Sequence, residues 1–393
     1  MATYPRITAD LTKIKHNIDM LCALCAENGV SIAAVTKVVC ADERIVRVLE
    51  ESGATMLADA RTENLARLNT QKPKLLLRTP APEEAEEAVT LADISLVSEI
   101  ATIRALGKAA SAAGKTHKII LMIDLGDLRE GLLFLEREAI YRAADAAKEE
   151  DGVELVGVGT NLTCYGAILP DENNLGELCK IVDELRERTG LPIPIVSGGN
   201  SSSLGLLKRG LVPDCVNHLR LGESIFLGND TAACRVMNGL YGDAFTLATR
   251  LIEVQRKPSV PIGESGANAF GEHPTFESLG DQIRGICKIG RQDTVADGLT
   301  PRDSDIKIIG ASSDHLIVDL THAKEYRVGD VLEFTPDYGA LLRAYTSPYV
   351  ARDYIEETVF RNAKRTADAV RFCSCELDTG LRDRGMPVRR LPA

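Results

Sequence analysis

Ile32-Ala-Ala-Val-Thr-Lys37 is a short apolar run that ends in a lysine, and it begins a pattern that recurs along this chain of 393 residues. The β-rich runs of this kind are Ile32–Thr36, Thr55–Ala58, Lys74–Leu77, Ile94–Val97, Lys118–Ile123, Glu154–Val158, Ile193–Val196 and Asn217–Leu219. The amphipathic segments between and after them are Ala41–Ser52, Thr62–Leu68, Glu83–Ala88, Ala101–Ala113, Glu136–Glu149, Asn173–Arg188 and Ser203–Gly210. Alternating strands and helices predict a parallel α/β sheet, and eight such units favour a closed (β/α)8 TIM-type barrel over residues 10–230.

An open, doubly wound sheet is the alternative that the same alternation allows. Its dinucleotide-binding form is disfavoured, because no Gly-x-Gly-x-x-Gly motif follows the first run. After about Asn229 the pattern changes, and strand-like stretches separated by Gly, Pro and Asp replace the long helical segments. We therefore predict a smaller, mainly β domain at residues 231–350, to which residues 1–9 add a strand. Residues 351–393 are predicted to form a charged C-terminal helix and tail.

The composition of the chain argues against several kinds of partner. The 57 Asp and Glu residues outnumber the 46 Lys and Arg residues, Trp is absent, and the net charge is −11, so nucleic-acid binding is not expected. No apolar window is long enough for a membrane helix, and the first residues lack the layout of a signal peptide. We therefore predict a cytoplasmic protein with a small-molecule partner.

The cysteines and histidines do not suggest a metal site. The chain has ten cysteines, which we expect to be small buried thiols in a reducing compartment. The close pairs, Cys22 with Cys25 and Cys373 with Cys375, lie at opposite ends of the chain, whereas a structural zinc site needs two such pairs together. No two histidines have ligand spacing.

Polar or charged residues follow nearly every predicted strand. They are Lys37, Asp59, Arg78, Ser98, Asp124, Thr160–Asn161, Ser197–Ser203 and Arg220. In a barrel the carboxyl ends of the strands meet at one mouth, where active sites are built. The pattern therefore predicts an active site lined by these residues.

Three of these strand ends suggest specific chemistry. Lys37 has apolar neighbours that disfavour its cationic form, so it is a candidate Schiff-base nucleophile, although a lysine that merely reaches into solvent fits equally well. Ser197-Gly-Gly-Asn-Ser-Ser-Ser203 opens a helix with two glycines and several donors, which favours phosphate binding, and Gly222 adds a second backbone donor. Arg220 suits an anion or an aromatic nitrogen, or else an ion pair with Asp124 or Glu223.

Taken together, these residues resemble the alanine-racemase-like, fold type III pyridoxal-phosphate enzymes over about residues 1–350, and most closely their ornithine, lysine and broad-specificity racemase branch. The stretches that carry the resemblance are Ala34-Val-Thr-Lys37-Val-Val, Asp124-Leu-Gly-Asp-Leu-Arg-Glu-Gly131, Gly157-Val-Gly-Thr-Asn-Leu-Thr-Cys-Tyr-Gly166, Ser197-Gly-Gly-Asn-Ser-Ser-Ser203, Gly290-Arg-Gln-Asp293 and Thr346-Ser-Pro-Tyr-Val350.

The resemblance implies a role for each matching residue. Lys37 holds pyridoxal 5'-phosphate covalently and moves the α-proton on one face of the substrate. The phosphate is bound by Asn200, Ser201 and Gly222. Arg220 contacts the pyridine nitrogen, and this permanent cation restrains the ring as an electron sink. Arg129 faces the cofactor and substrate, and Asp314 reaches the active site of a neighbouring subunit in a head-to-tail homodimer.

The chain departs from alanine racemases at three points. Met122 replaces a lysine, and Asn161 lies where a histidine covers the cofactor ring. The turn Gly263-Glu-Ser-Gly-Ala-Asn-Ala-Phe-Gly271 offers Asn268 and Phe270 where the family has a tyrosine base, and neither can abstract a proton. Racemisation needs a base on each face unless Lys37 serves both. The candidate substitutes are Tyr338, Tyr345, Cys164 and Asp314.

The sequence thus predicts a pyridoxal-phosphate-dependent racemase that interconverts L- and D-amino acids, with ornithine or another basic amino acid as substrate. A lyase or decarboxylase on the same scaffold is one alternative. A non-catalytic carrier of pyridoxal phosphate is another, although such carriers are usually single barrels.

Overall fold

The computed structural model describes residues 3–356, and in it the eight predicted runs form a closed parallel barrel. The barrel strands, first to eighth in chain order, are Ser31–Val35, Met56–Asp59, Lys74–Leu76, Ile94–Val97, His117–Asp124, Val153–Thr160, Ile195–Ser197 and His218–Leu221. The fourth strand pairs with both the third and the fifth, and the eighth pairs with both the seventh and the first. This closure confirms the barrel and excludes the open sheet.

Helices cover the outside of the barrel, as the amphipathic segments predict. The α-helices of residues 3–356 are Leu11–Glu27, Glu43–Glu50, Thr62–Arg67, Ala85–Leu91, Ile100–Ala112, Arg137–Glu149, Glu172–Thr189, Leu204–Lys208, Glu223–Leu227 and Tyr338–Thr346. Their ends follow local chemistry. The Asp42 carboxylate accepts hydrogen bonds from the backbone N–H groups of Arg44 and Ile45, and so caps one helix. Gly190, at φ +69°, ends the longest of these helices in the left-handed conformation.

The barrel interior is a separate apolar core of small and branched side chains beneath the mouth. Its buried members are Ala33, Val35, Ala58, Leu75, Ile94, Leu96, Ile120, Met122 and Val156. Met122 is fully buried in this core, so the position that is a lysine in alanine racemases carries no charge here. The core closes the barrel from below and leaves its upper end as the place for a ligand.

The second sheet is mainly antiparallel, as predicted. Its strands are Arg6–Asp10, Phe245–Pro258, Asp281–Cys287, Leu299–Pro301, Lys307–Ala311, Leu316–Asp319, Val331–Pro336 and Ala351–Ile355. Two short strands, Asn229–Asp230 and Arg235–Val236, pair outside it, and Leu132–Leu133 extends the barrel sheet. The N-terminal strand pairs with Phe245–Pro258, which confirms that the start of the chain joins this sheet.

The structure differs from the sequence prediction at the end of this sheet. Ala351–Ile355 lies in the range predicted to start a helix and tail, but it is a strand parallel to Arg6–Asp10. It becomes a strand because the N-terminal strand offers it a free edge for hydrogen bonding, which no local pattern reveals. The rest of the predicted helix and tail lies outside the described residues.

One cysteine pair also differs from expectation. Cys179, on the helix Glu172–Thr189, and Cys215, before the eighth strand, form a disulfide with a Cα–Cα distance of 6.0 Å. The expectation of free thiols is therefore wrong for this pair, which lies 36 residues apart in sequence and meets only in the fold. Cys25 is a buried thiol as expected, and Cys373 and Cys375 lie outside the described residues. Within residues 3–356, no helix combines the length and apolarity needed to cross a bilayer, and no three His, Cys, Asp or Glu side chains group as metal ligands.

His117, at the start of the fifth strand, should make stability depend on pH. Burial lowers the pKa of His117 to about 4 from the usual 6.5, and its Nε2 lies 2.8 Å from Ser95 Oγ. The unfolded chain therefore binds the proton more tightly, so stability is present above pH 6.5 and is lost as the pH falls towards 4. Between pH 7 and 5 we expect a loss of about 2 kcal/mol from this group. Urea unfolding of wild type and His117→Gln at both pH values measures it, and an equal pH dependence in the two proteins would contradict the prediction.

Candidate active site

A cavity of about 660 Å³ lies at the carboxyl ends of the barrel strands. Its charged lining consists of Lys37, Arg78, Arg129, Arg220, Glu130 and Glu223. Its hydroxyl, amide and thiol groups come from Thr79, Asn161, Thr163, Cys164, Asn200, Ser201, Thr231 and Tyr338. Every cofactor-binding residue predicted from the sequence thus lines one cavity, together with Arg129, whereas Asp314 does not.

Lys37 enters this cavity through a tight turn. The residues Lys37–Val39 form a 3-10 turn directly after the first strand, in which Val38 and Val39 are buried and Lys37 is exposed to the cavity. The valines expected to surround the amine thus pack into the core instead. The nearest aromatic group is the Tyr338 ring, whose centroid lies 5.8 Å from Lys37 Nζ. The amine is therefore accessible to a ligand that enters from the mouth.

A buried network fixes the turn that carries Lys37. Thr36 Oγ1 donates to Asp59 Oδ2 at 2.7 Å, and Asn64 Nδ2 donates to Asp59 Oδ1 at 3.0 Å. Asp59 is fully buried at the end of the second strand. Asp59 was predicted to line the active site. It lies beneath the site instead, where it holds Thr36, the residue before Lys37.

The loop Ser197–Ser203 and the start of the helix Glu223–Leu227 form a cradle of small residues. Asn200 caps the turn Ser201–Ser203 by accepting from Ser202 N at 2.8 Å, and its amide donates to Leu162 O at 2.9 Å. Ser201 Oγ lies 3.0 Å from Ser224 Oγ. The Asn200 side chain thus shapes the loop instead of pointing its amide at a ligand. Gly199, at φ +111°, makes the tight turn possible.

Arg220 is held rigidly at the end of the eighth strand. Its guanidinium donates to Thr160 O at 2.6 Å and to Ser197 Oγ, whose hydroxyl lies 2.8 Å from His218 Nδ1. Burial lowers the pKa of Arg220 to about 10, which still leaves it cationic at neutral pH. Burial likewise lowers the pKa of His218 to about 3, so this neighbour is neutral.

The alternative of a structural ion pair for Arg220 does not match the geometry. Within residues 3–356, no ion pair joins Arg220 to Asp124 or Glu223. Asp124 accepts from the backbone of its own loop, at Gly126 N, and Glu223 accepts from Asn229 Nδ2 at 3.1 Å. Burial and the charge of Asp337 raise the pKa of Glu223, while Asn229 and Lys37 act in the opposite direction.

Arg129 lines the same cavity. It forms an ion pair with Glu130, and this pairing raises its pKa against the opposing effect of burial. The preceding Leu128 has φ +57° and the following Gly131 has φ +128°. A Cβ on Gly131 would lie 2.5 Å from Asp124 N, which explains the glycine in this motif.

The motifs of the second domain meet away from this cavity. Gly290 packs against the backbone of Ser313 so closely that a Cβ would lie 2.3 Å from its carbonyl oxygen. The hairpin that this contact supports presents Asp314 to solvent. Asp293 accepts from Ser347 Oγ at 2.6 Å, and this hydrogen bond joins the motif Gly290–Asp293 to the motif Thr346–Val350.

The turn Gly263–Gly271, which lacks the family tyrosine, lies against the motif Gly290–Asp293. Arg291 forms an ion pair with Glu272 at 2.9 Å and lies 4.2 Å above the Phe270 ring. Asn268 accepts from the backbone of Phe270 and Glu272. Asn268 and Phe270 therefore shape this turn, in keeping with their lack of acid–base chemistry.

Comparisons with known proteins agree with this geometry. Residues 9–230 match the model of the alanine racemase N-terminal domain family. The chain is 44% identical to the ornithine racemase of Acetoanaerobium sticklandii over 354 residues, which cover 90% of this chain and 100% of that protein. The chain belongs to the alanine racemase family.

More distant relatives extend the comparison. The chain is 36% identical to the lysine racemase of Thermotoga maritima, over 89% of this chain and 98% of that one. The alanine racemase of Streptomyces lavendulae has the same fold, with a TM-score of 0.68 at 19% identity over 91% of this chain and 98% of that one. The alanine racemase of Bartonella henselae, a structure with covalently bound pyridoxal phosphate, gives 0.67 at 17% identity over 89% and 99%. The predicted class of this family member, a fold type III amino-acid racemase that uses pyridoxal phosphate, is confirmed.

The cavity of this racemase fits the cofactor. The Ser201 hydroxyl and the backbone of Gly222 both line the cavity, where a phosphate group would find donors. Thr160 Oγ1 is buried and has no hydrogen-bond partner within residues 3–356. Lys37 supplies an accessible amine and Arg220 a fixed cation, and these two groups would hold the cofactor.

Several residues of the site were missed by sequence reasoning. Glu130 follows Arg129 in the motif Asp124–Gly131, but nothing in the sequence indicated that its side chain faces the cavity. Asp127 is fully buried in the same motif and escaped attention because its partners lie nearly 40 residues away. Tyr338 was a candidate base from the sequence, but its helix, Tyr338–Thr346, was not predicted because Gly339 and the short length of nine residues weaken the helical pattern.

Proposed function

We propose that this chain racemises a basic amino acid, with ornithine as its foremost substrate. The observation that carries the proposal is the accessible Lys37 in a cavity that also contains the cradle around Ser201 and the fixed Arg220. The name of the Acetoanaerobium sticklandii relative, ornithine racemase, supports the choice of substrate.

Each residue has a defined task in this reaction. Bound pyridoxal phosphate supplies an electron-withdrawing ring that makes the α-hydrogen of the substrate acidic. Lys37 holds the cofactor and moves a proton at the α-carbon on one face. Ser201, Gly222 and the Asn200 loop hold the phosphate, while Arg220 keeps the ring in place. The Arg220 cation beside the ring nitrogen limits how much negative charge the ring accepts. This limit favours prompt reprotonation over side reactions.

The charges of the cavity suit an amino acid with a basic side chain. Arg129 and Arg78 provide cations for its carboxylate. Glu130 and Glu223 provide the negative charge that a distal ammonium group requires. The net charge of −11 acts in the same direction over a longer range.

We further infer a head-to-tail homodimer in which Asp314 of one subunit reaches the cavity of the other. Asp314 is exposed and lies outside the cavity of its own chain. Large apolar side chains are exposed on both parts, with Tyr165 75% and Leu135 69% exposed on the barrel and Ile262 91% exposed on the second domain. These side chains are available for a contact between subunits. Analytical ultracentrifugation tests the inference, and a monomer at assay concentration would contradict it. A cytoplasmic location remains a prediction, which fractionation of host cells tests.

Proton NMR in deuterated buffer tests the function. With pyridoxal phosphate and L-ornithine, we expect loss of the α-proton signal, growth of the D-enantiomer and no change in carbon count. A lyase or dehydratase, such as the structural neighbour D-threo-3-hydroxyaspartate dehydratase, would form a new product. A carrier would leave ornithine, lysine, arginine and alanine unchanged, and that result would refute the proposal.

A further inference from the structure

The loop after the sixth barrel strand is organised around one buried carboxylate. Asp127 is fully buried, and its carboxylate oxygens accept hydrogen bonds from the backbone N–H groups of Thr163, Cys164, Tyr165 and Ile168 at 3.0–3.2 Å. These bonds lower the pKa of Asp127 although burial acts to raise it. This carboxylate therefore anchors four backbone N–H groups of a loop without regular structure.

The same anchor dictates the shape of the loop. The Asp127 carbonyl accepts from Gly166 N at 3.0 Å, and a Cβ on Gly166 would lie 2.7 Å from that carbonyl oxygen. Thr163 and Ala167 have φ of +60° and +55°, which non-glycine residues adopt only when their surroundings impose it. The groups that this arrangement presents to the cavity are Thr163 and Cys164.

Cys164 lies across the phosphate cradle from Lys37. Cys164 follows the sixth strand, Lys37 follows the first, and the seventh and eighth strands, which carry the cradle, lie between them in the ring. The Cys164 thiol is exposed in the cavity, with Asn200 Nδ2 3.4 Å from its sulfur. A ligand whose phosphate is held by the cradle therefore has the amine on one flank and the thiol on the other.

Charged groups lie close to Cys164 in the cavity. The guanidinium groups of Arg129 and Arg220 both interact electrostatically with it. Glu130 pairs with Arg129 and also interacts with Arg220, so it partly offsets their charge.

The other candidate bases do not lie in suitable places. Tyr345 is 1% exposed and packs against Phe245 in the core, away from the cavity. Tyr338 lines the cavity but lies beside Lys37, on the flank that already has a base. Asp314 does not line the cavity of its own chain, so Cys164 is the candidate that remains within one chain.

We propose that Cys164, positioned by the Asp127-anchored loop, is the catalytic residue that exchanges the α-proton on the face opposite Lys37. The proposal rests on the racemase function above. In one direction the Cys164 thiolate takes the α-proton and becomes a thiol, while the Lys37 ammonium gives a proton to the other face and becomes an amine. The reverse reaction restores both groups, so that no oxidant, reductant or further co-reactant is required. Asp127 is a positioning residue.

Isotope exchange of the two enantiomers tests the proposal. Wild type, Cys164→Ala, Cys164→Ser and the control Cys234→Ser are each incubated with L- or D-ornithine in deuterated buffer. Cys234 suits as a control because it is also an exposed free cysteine but does not line the cavity. In both Cys164 variants we expect inversion to fall by about 10²- to 10⁴-fold. One enantiomer should still exchange its α-proton without inversion through Lys37, while Cys234→Ser behaves as wild type.

The outcomes separate this proposal from the function on which it rests. Inversion at the wild-type rate in Cys164→Ala would overturn the role of Cys164, and the second proton would then be moved by the partner subunit or by Lys37 alone. Absence of both exchange and inversion in wild type would instead overturn the racemase function. Loss of exchange with both enantiomers in Cys164→Ser, with the cofactor still bound, would show that the thiol is needed for positioning only.

Thiol alkylation gives a readout that does not depend on activity. In cofactor-free protein we expect iodoacetamide to modify both exposed cysteines, Cys164 and Cys234. Addition of pyridoxal phosphate should protect Cys164, which lines the cavity, but not Cys234, as mass spectrometry of the peptides would show. In Asp127→Asn we expect this protection of Cys164 to weaken, with unchanged alkylation of Cys234. Alkylation of Cys164 that is unaffected by pyridoxal phosphate would contradict its place beside the cofactor.

Discussion

Replacement of Lys37 by alanine is expected to reduce racemisation by at least about 10³-fold and to remove the visible absorbance of the covalently held cofactor. Lys37 is exposed in the cavity and its closest aromatic contact is 5.8 Å away, so its removal leaves no buried group without a partner. The fold is therefore expected to survive, with an unfolding free energy within about 0.5 kcal/mol of wild type. Absorbance spectra and ornithine racemisation measure the two effects.

Two control variants make this result specific. Lys37→Arg keeps the charge but cannot form the covalent link, and it should be as inactive as the alanine variant. Lys208→Ala removes an exposed lysine from a barrel helix outside the cavity and should leave activity unchanged. Persistence of the cofactor absorbance in Lys37→Ala would overturn the assignment of the whole site.

Replacement of Arg220 by glutamine is expected to lower both activity and stability. The variant leaves Thr160 O and the Ser197 hydroxyl without their charged donor in a buried setting, which costs about 1–3 kcal/mol of unfolding free energy. We expect racemisation to fall about 10²-fold, because the ring loses its fixed partner. The fraction of turnovers that end in transamination should rise, because the cation no longer restrains the ring as an electron sink.

Chemical denaturation, racemisation and assay of the keto-acid product together measure these effects. Arg220→Lys keeps the positive charge but lacks the fork that reaches both Thr160 and Ser197, so it should lose stability with a smaller gain in transamination. A glutamine variant with wild-type stability and an unchanged product ratio would contradict the role given to Arg220.

The repeating pattern was sufficient to predict the barrel because each unit is local. A buried strand needs a continuous apolar run and a covering helix needs one apolar face, and both are present within about 30 residues of each other, as in Ile32–Thr36 and Ala41–Ser52. Parallel strands can then close only with their carboxyl ends at one mouth. For this reason Lys37, Arg220 and the loop Ser197–Ser203 could be assigned to one site before any contact was known.

Contacts between distant residues could not be predicted in the same way. Ala351–Ile355 has a charged sequence typical of a surface segment, and it is a strand only because Arg6–Asp10 offers it an edge more than 340 residues away in the chain. The disulfide between Cys179 and Cys215 likewise depends on how a helix packs against a loop. Neither partner carries a local sign of the other.

By itself the sequence determined the eight-unit barrel, the family and the residues that meet at the mouth of the barrel. It could do so because hydrophobic periodicity and strand-end motifs depend only on residues that are close in sequence. Only the tertiary structure showed where the candidate second bases lie within one chain. Tyr345 proved to be buried, Tyr338 proved to lie beside Lys37, and Cys164 proved to face the cavity. The physical reason is that the direction of a loop side chain depends on where its backbone hydrogen bonds are satisfied, and here the acceptor is Asp127, from the loop after the fifth strand.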